Sequence, residues 1–175
     1  MPERIETERL LLRKPRMDEG SAIFLGWAQD KEVTRYLTWR PHQCLEQTQE
    51  FVQSCLAAWE QGTRFPYIVT LKETSEVVGM IDPRVEGSKV GIGYGAARAH
   101  WGKGYITEAT RTIVDWAFQQ PSIYRVYATT DVENIASRRV LEKAGMQCEG
   151  ILRKYILHPN ISHIPRDSYM YAITK

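Results

Sequence analysis

Cysteine is scarce in this 175-residue chain: Cys44, Cys55 and Cys148 are the only three, and none stands in a Cys-x-x-Cys pair. An odd, scattered set excludes a disulfide framework and a zinc knuckle, and it suits a reducing, cytoplasmic setting. Histidine is sparse too, and His158 and His163, with Pro159 between them, match neither one helix face nor a paired-ligand motif, so no metal site is expected. No apolar run approaches the ~18 residues that a membrane span needs. The opening Met1-Pro2-Glu3-Arg4-Ile5-Glu6 has mixed charge and no apolar stretch, so a signal peptide is not expected either. An excess of one charge is also missing, since 23 Lys and Arg stand against 21 Asp and Glu. The basic pairs Arg138-Arg139 and Arg153-Lys154 read as solvated faces, and DNA is excluded as a partner.

What is present is enough apolar content, 43%, for one core. With no linker, repeat or low-complexity run, residues 1–175 read as a single domain. Strands are expected over residues 5–13, 65–72, 77–85, 89–95, 123–130, 147–157 and 168–174, from their alternating or continuous apolar character. The three central ones are separated by Glu73-Thr74-Ser75 and Glu86-Gly87-Ser88, short enough for hairpins. Asp18 is expected to cap a short helix bearing Ala22, Ile23, Leu25 and Trp27. A longer helix after Pro41 carries Leu45, Phe51, Val52, Cys55, Leu56 and Trp59 and stops near Gly62. Ile106, Ala109, Ile113, Val114, Ala117 and Phe118 recur at the spacing of one buried helix face over residues 105–119. Asn134 caps a further helix that ends at Gly145. The strand at 89–95, the helix at 105–119 and the strand at 123–130 form a βαβ crossover, so one pair is parallel within a meander. The expected class is α+β, a seven-stranded mixed sheet with helices on both faces.

The densest signal lies in the join between strand and helix, from Val90 through Gly91-Ile92-Gly93-Tyr94-Gly95-Ala96-Ala97 to Trp101-Gly102-Lys103-Gly104-Tyr105. At a helix mouth the first amides have no intrahelical acceptor, and the macrodipole adds partial positive charge, so phosphate oxygens can be held by main chain alone. The same glycines would equally serve an ordinary loop that only turns the chain, and the segment by itself leaves both readings standing. Two other phosphate loops are excluded. Ala97 and Gly104 occupy the positions where a Walker loop needs glycine and a hydroxyl, and Gly91, Gly93 and Gly95 lie within the strand rather than between strand and helix.

Several motifs in order now join: Ile92-Gly93-Tyr94, Trp101-Gly102-Lys103-Gly104-Tyr105-Ile106-Thr107-Glu108-Ala109, Asn134-Ile135-Ala136-Ser137-Arg138, Val140-Leu141-Glu142-Lys143-Ala144-Gly145-Met146 and Glu149-Gly150. Together they resemble the GNAT superfamily of N-acetyltransferases. The opening Thr7-Glu8-Arg9-Leu10-Leu11-Leu12-Arg13 narrows the resemblance to the branch whose bacterial members acetylate ribosomal-protein N-termini, and the likeness covers nearly the whole chain. It implies a mostly antiparallel sheet whose central parallel pair splays, with acetyl-CoA as co-substrate and no metal. Pantetheine would lie along the gap and the pyrophosphate on the Gly102-Lys103-Gly104 turn. The implied cofactor-binding positions are Gly95, Ala96, Ala97, Trp101, Gly102, Lys103, Gly104, Tyr105, Ile106, Thr107, Asn134 and Ser137. Two departures stand out. Ala99 replaces the Gln or Arg usual three residues before the first glycine, with Arg98 one place off, and Gly95-Ala96 replaces a bulky Trp-Leu pair at the acetyl end.

The resemblance implies direct attack of an amine in a ternary complex, with Ser137 as general acid toward the departing thiolate and Asn134 holding the loop and touching pantetheine. On the residues alone, Asn134 is a helix cap, Ser137 a first-turn hydroxyl, Tyr94 a core aromatic and Cys148 a packed strand residue. Tyr94 could also orient the acetyl carbonyl or the acceptor. No motif names the general base; of Asp82 and Glu86, near a strand end that could face the cleft, Asp82 is preferred. An α-amine titrates near ~7.7–8.0 and a lysine near ~10.4, so a terminus offers more free amine at neutral pH. That favours an N-terminal or small-amine acceptor; with the branch that the chain resembles, a peptide N-terminal α-amine is the leading acceptor, and amino-acid, polyamine and antibiotic amines are the small-molecule alternatives. A CoA-binding regulatory module with little turnover is the competing class, and ribosomal or RNA interaction a third. Residues 34–41 and 158–166 are expected to face the acceptor, and a homodimer is compatible with the chain.

Overall fold

The computed structural model describes all of residues 1–175. The first expected strand is divided into Arg4–Glu6 (β1) and Leu10–Arg13 (β2), an antiparallel hairpin that sets Ile5 opposite Leu12. The break has a local cause: the Leu10 amide donates to the Thr7 hydroxyl at 2.9 Å while the Thr7 amide holds the Leu10 carbonyl at 2.9 Å, so a side-chain oxygen takes one of the two ladder bonds and the chain reverses. The sheet therefore has eight strands rather than seven. The others are Tyr67–Leu71 (β3), Val77–Glu86 (β4), Lys89–Ala96 (β5), Arg125–Asp131 (β6), Gln147–Ile156 (β7) and Arg166–Thr174 (β8), in the spatial order β1-β2-β3-β4-β5-β6-β8-β7.

The helices are Gly20–Ile23 (α1), Lys31–Thr34 (α2), Leu45–Gln61 (α3), Tyr105–Gln119 (α4) and Ile135–Lys143 (α5). Asp18 is not the cap expected of it. It lies inside a 3₁₀ turn, Met17–Glu19, where buried Glu19 accepts from the Arg16 amide at 2.8 Å and pairs with Arg13. The chain then runs through α1 into a π-helical turn, Phe24–Ala28, which turns Trp27 and Ala28 into the core. Gly62 ends α3 with φ of 73°, and Gly145 follows α5 with φ of 90°, both left-handed as expected of helix stops.

Strand alternation sorts the core into two layers. Tyr67, Val69, Ile81, Val90, Ile92 and Val126 meet Ala109, Ile113, Val114 and Ala117 of α4 on one face. Ile68 and Met80 meet Ile23, Trp27, Val52 and Cys55 of the α1–α3 layer on the other. Burial of these apolar surfaces is the main force holding helices to sheet. Burial also pushes the Cys55 thiol up to about 12, which leaves it inert. Cys148, expected to pack, is instead exposed, because β7 is the outermost strand and bulges between Cys148 and Gly150.

The parallel pair places the cleft. β5 and β6 are in register only from Lys89 opposite Arg125 to Gly91 opposite Tyr127. Beyond that point β6, paired with β8 along its whole length, continues with β8 alone to Asp131, while β5 continues with β4 alone to Ala96. The two strands part, and the ends of both face the gap.

Candidate active site

The glycine turn leaves β5 at Ala96 and enters α4 at Tyr105. Gly102 and Gly104 hold φ of 75° and 81°, a conformation that a residue with Cβ adopts only under strain. The amides of Gly102, Lys103 and Gly104 donate to no backbone acceptor. The first helical bond runs from Glu108 to the Gly104 carbonyl at 3.0 Å, so the amides of Tyr105, Ile106 and Thr107 are also free of intrahelical partners. Space around a Cβ at Gly102 is open. Ile106 and Thr107 are themselves buried, so these positions offer main chain rather than side chain. Trp101 pins the turn by donating its indole N–H to the Ala96 carbonyl at 2.8 Å. Ala97 donates to the Val78 carbonyl.

Arg98, one place off the family position, does not serve the turn: its guanidinium pairs with Asp30 at 2.6 Å. Arg9 serves it instead. It bonds Glu108 at 2.7 Å, donates to the Lys103 carbonyl at 3.1 Å and lies 4.7 Å over the Tyr105 ring. Burial alone would raise the Glu108 carboxyl, but bonds from the Thr7 hydroxyl and from the Arg9 amide and guanidinium outweigh it and hold it below its usual range.

Across the gap, Tyr94 and Ser137 meet. The phenol oxygen lies 2.8 Å from Ser137 Oγ and also donates to the Ser137 carbonyl at 3.2 Å. Burial drives the Tyr94 phenol far up its scale, so it stays protonated at neutral pH. Asn134 Oδ1 accepts from the Ser137 amide at 3.1 Å, which makes it the cap of α5. Tyr94 from one motif and Asn134 and Ser137 from another thus form one hydrogen-bonded set on the α4–α5 face.

The opposite face of β5 presents Gly91, Gly93 and Gly95. Asp82 stands opposite Gly93 in the register. It is buried, with Oδ2 accepting from Arg64 Nε at 2.8 Å and Arg84 Nη2 at 3.1 Å, while Oδ1 has no partner. Glu86, on the same face, is engaged by the Tyr127 hydroxyl, which donates to it at 2.9 Å. Leu37 packs 3.8 Å from where a Gly95 Cβ would be. The room released by Gly95 is therefore filled from the α2–α3 loop rather than left empty.

The two segments expected at the acceptor mouth are joined by a residue that sequence reading did not single out. The Asn160 amide donates to the Thr34 carbonyl at 2.7 Å and to the Trp39 carbonyl at 2.8 Å. His158 sets its ring edge-on to Tyr36, with centroids 6.5 Å apart. Behind them Asp131 is fully buried and bonded by Arg166 Nε at 2.6 Å. Burial alone would raise Asp131, but the Arg166 guanidinium and the Glu133 amide hold its carboxyl low.

A sheet parted at its one parallel pair thus lies beside a helix mouth with free amides, an arrangement able to hold an anion. The chain belongs to the GNAT acetyltransferases: residues 9–147 match the family model described as an acetyltransferase (GNAT) domain. It is 36% identical over 160 residues to the uncharacterized N-acetyltransferase p20 of Bacillus licheniformis, covering 87% of each chain. The crystal structure of a GNAT-family acetyltransferase from Bacillus anthracis superposes with a TM-score of 0.85 at 30% identity, covering 98% of both chains. RimL, a ribosomal-protein α-N-acetyltransferase crystallised with coenzyme A, superposes with a TM-score of 0.84 at 21% identity over 98% of both chains, a likeness of fold.

Arg9, Glu108, Asn160 and the Arg64–Arg84 pair are the residues that the motifs did not mark as functional. Arg9 and Glu108 carried a signal, inside the Thr7-Glu8-Arg9-Leu10 and Trp101–Ala109 strings. The others depend on chain segments that meet far from each other in sequence.

Proposed function

We propose that this chain, acting as one domain over residues 1–175, transfers an acetyl group from acetyl-CoA to the α-amine of a protein or peptide N-terminus. The 2.8 Å contact between Tyr94 and Ser137 beside the parted strands carries this reading. It sets a protonated phenol against the hydroxyl of a residue whose family match is a general acid, at the end of a cleft whose other end offers free amides. Acetyl-CoA fits those amides through its pyrophosphate and supplies an activated acyl group. The amides at 102–107 hold the anion, and the splayed backbone of Gly95 and Ala96 takes the pantetheine arm.

In this reading Ser137 Oγ gives its proton to the sulfur as the C–S bond breaks, with Tyr94 orienting that hydroxyl. The nitrogen forms the new C–N bond by direct attack. Asp82 Oδ1, buried and without a protein partner, takes the proton that the nitrogen loses, across Gly93 where no side chain of β5 intervenes. No cysteine is needed as a covalent carrier, since Cys55 is inert and Cys44 and Cys148 lie on the surface.

The test is Ser137→Ala, followed by thiol release with peptide acceptors and by calorimetry with acetyl-CoA. Turnover is expected to fall about 100-fold, in the range of a lost general acid, with affinity for acetyl-CoA within about 2-fold. Equal losses in turnover and affinity would show that Ser137 only binds.

A further inference from the structure

We infer that the acceptor is an amine that bears a carboxylate of its own, and that Arg84, braced with Arg64, is the group that reads it. This rests on the acetyl-transfer reading above and names the substrate class for that site. The argument starts from the bare glycine face of β5. Each of its three glycines is covered by a residue from elsewhere. The Tyr127 ring lies 2.9 Å from a Cβ built at Gly91, Arg84 Nη2 3.6 Å from one at Gly93, and Leu37 Cδ1 3.8 Å from one at Gly95. A guanidinium therefore lies over the middle of this face, between an aromatic side chain and an aliphatic one, beside the point where β5 and β6 part.

Its charge is only partly answered. Arg84 and Arg64 each use one nitrogen, and both use it on the same Asp82 oxygen. Two cations thus share one carboxylate, leaving a surplus of one positive charge. Glu86, the next carboxylate along β4, is taken by the Tyr127 hydroxyl and by Lys89 at 3.5 Å. The Arg84 side chain is 53% exposed while the Asp82 side chain is 8% exposed, so the fork is anchored at one corner and free to bind at the others. A fixed guanidinium fork matches a carboxylate in two parallel hydrogen bonds.

The surplus charge opposes a polyamine, an aminoglycoside or a lysine-rich peptide, each of which would bring further cations into the groove. An amine with a nearby carboxylate places opposite charge on Arg84. Its nitrogen is then left facing Asp82 Oδ1, the one oxygen of the cluster without a partner. Two sources supply that chemistry: a free α-amino acid, or a peptide N-terminus with an acidic residue just behind it.

The test compares matched pairs that differ only in this charge, a free amino acid against its carboxamide and an N-terminal Ser-Glu peptide against Ser-Gln. The carboxylate member of one pair is expected to be at least about 10-fold better in kcat/KM, through KM, the size of one charged hydrogen-bond contact. Which pair shows it identifies the source. Arg84→Gln is expected to erase the preference, bringing the ratio within that pair to about 1 whatever the overall rate, and Arg84→Lys to keep part of it. Equal rates within both pairs, or a preference that survives Arg84→Gln, would overturn the inference. So would transfer confined to polycationic amines, or no transfer to any of the four from a protein that binds acetyl-CoA. Failure to bind acetyl-CoA in the same preparation overturns the acetyl-transfer reading itself and is seen separately by calorimetry.

Discussion

Arg9 Nε donates to Glu108 Oε2 at 2.7 Å, tying the turn between β1 and β2 to the first turn of α4. With the Arg9 bond to the Lys103 carbonyl, this pair braces the glycine turn from outside. The Thr7-Glu8-Arg9-Leu10 string thus has a physical meaning: Thr7 and Arg9 grip one carboxylate at the helix mouth, although they lie some hundred residues away in the chain.

Glu108→Gln is expected to cost about 1–3 kcal/mol at pH 7, because charged hydrogen bonds are replaced by weaker ones in a half-buried place. Its carboxyl is held low in the folded state, so its stabilisation is complete above about pH 4.3, the unfolded value, and is lost as pH falls through the folded one. Urea melts of the two proteins should therefore converge in acid. A gap that widens below pH 4 would contradict the assignment.

Gly102→Asp and Gly102→Asn impose the same left-handed backbone on a side chain, which both residues tolerate, and space around Gly102 is open. Only the first adds a negative charge at the anion site. The Asp variant should lose at least about 10-fold in acetyl-CoA affinity relative to Asn, by charge repulsion where an anion belongs. Equal affinities in calorimetry would move the pyrophosphate elsewhere.

Asn160→Ala removes the two bonds that its side chain makes to the Thr34 and Trp39 carbonyls, at the proposed acceptor mouth. Acceptor KM is expected to rise several-fold with acetyl-CoA affinity unchanged, and stability to fall about 1–3 kcal/mol from two uncapped carbonyls. Faster proteolysis within residues 35–43 would report the loosened loop directly. Unchanged KM would place the acceptor away from it.

Arg166→Ala leaves the fully buried Asp131 without its hydrogen-bonded counter-ion, with only His158 beside it at 3.8 Å. The expected loss is about 3–5 kcal/mol, since an uncompensated buried charge costs more than the pair gains. Because Arg166 holds Asp131 low, wild-type stability from this pair is present above about pH 3.9 and fades as pH falls through the folded value. Chemical denaturation at pH 7 and pH 3 should show the penalty shrinking in acid.

Elements with strong local signals were readable in advance. The apolar spacing of α4 and the helix stops at Gly62 and Gly145 stand where the chain pattern puts them. The split of the first strand depends on the Thr7 side chain accepting one ladder bond, from the Leu10 amide, which period-two alternation does not encode. Asp18 was misread as a cap because an adjacent carboxylate, Glu19, made the competing bond to the Arg16 amide. Cys148 looked packed because alternation tells which side chains share a face, not which strand ends up outermost.

By itself the sequence determined the glycine turn, the helix behind it and the motif order that marks the family, since backbone conformation, amide availability and burial periodicity are set by neighbours in the chain. Only the tertiary structure decided that Tyr94 would meet Ser137, that Arg9 would take the bracing place that Arg98 does not fill, and that Arg84 would lie over Gly93. Those contacts join residues distant in sequence, and their partners are chosen by how the sheet parts and which face each strand turns to the cleft.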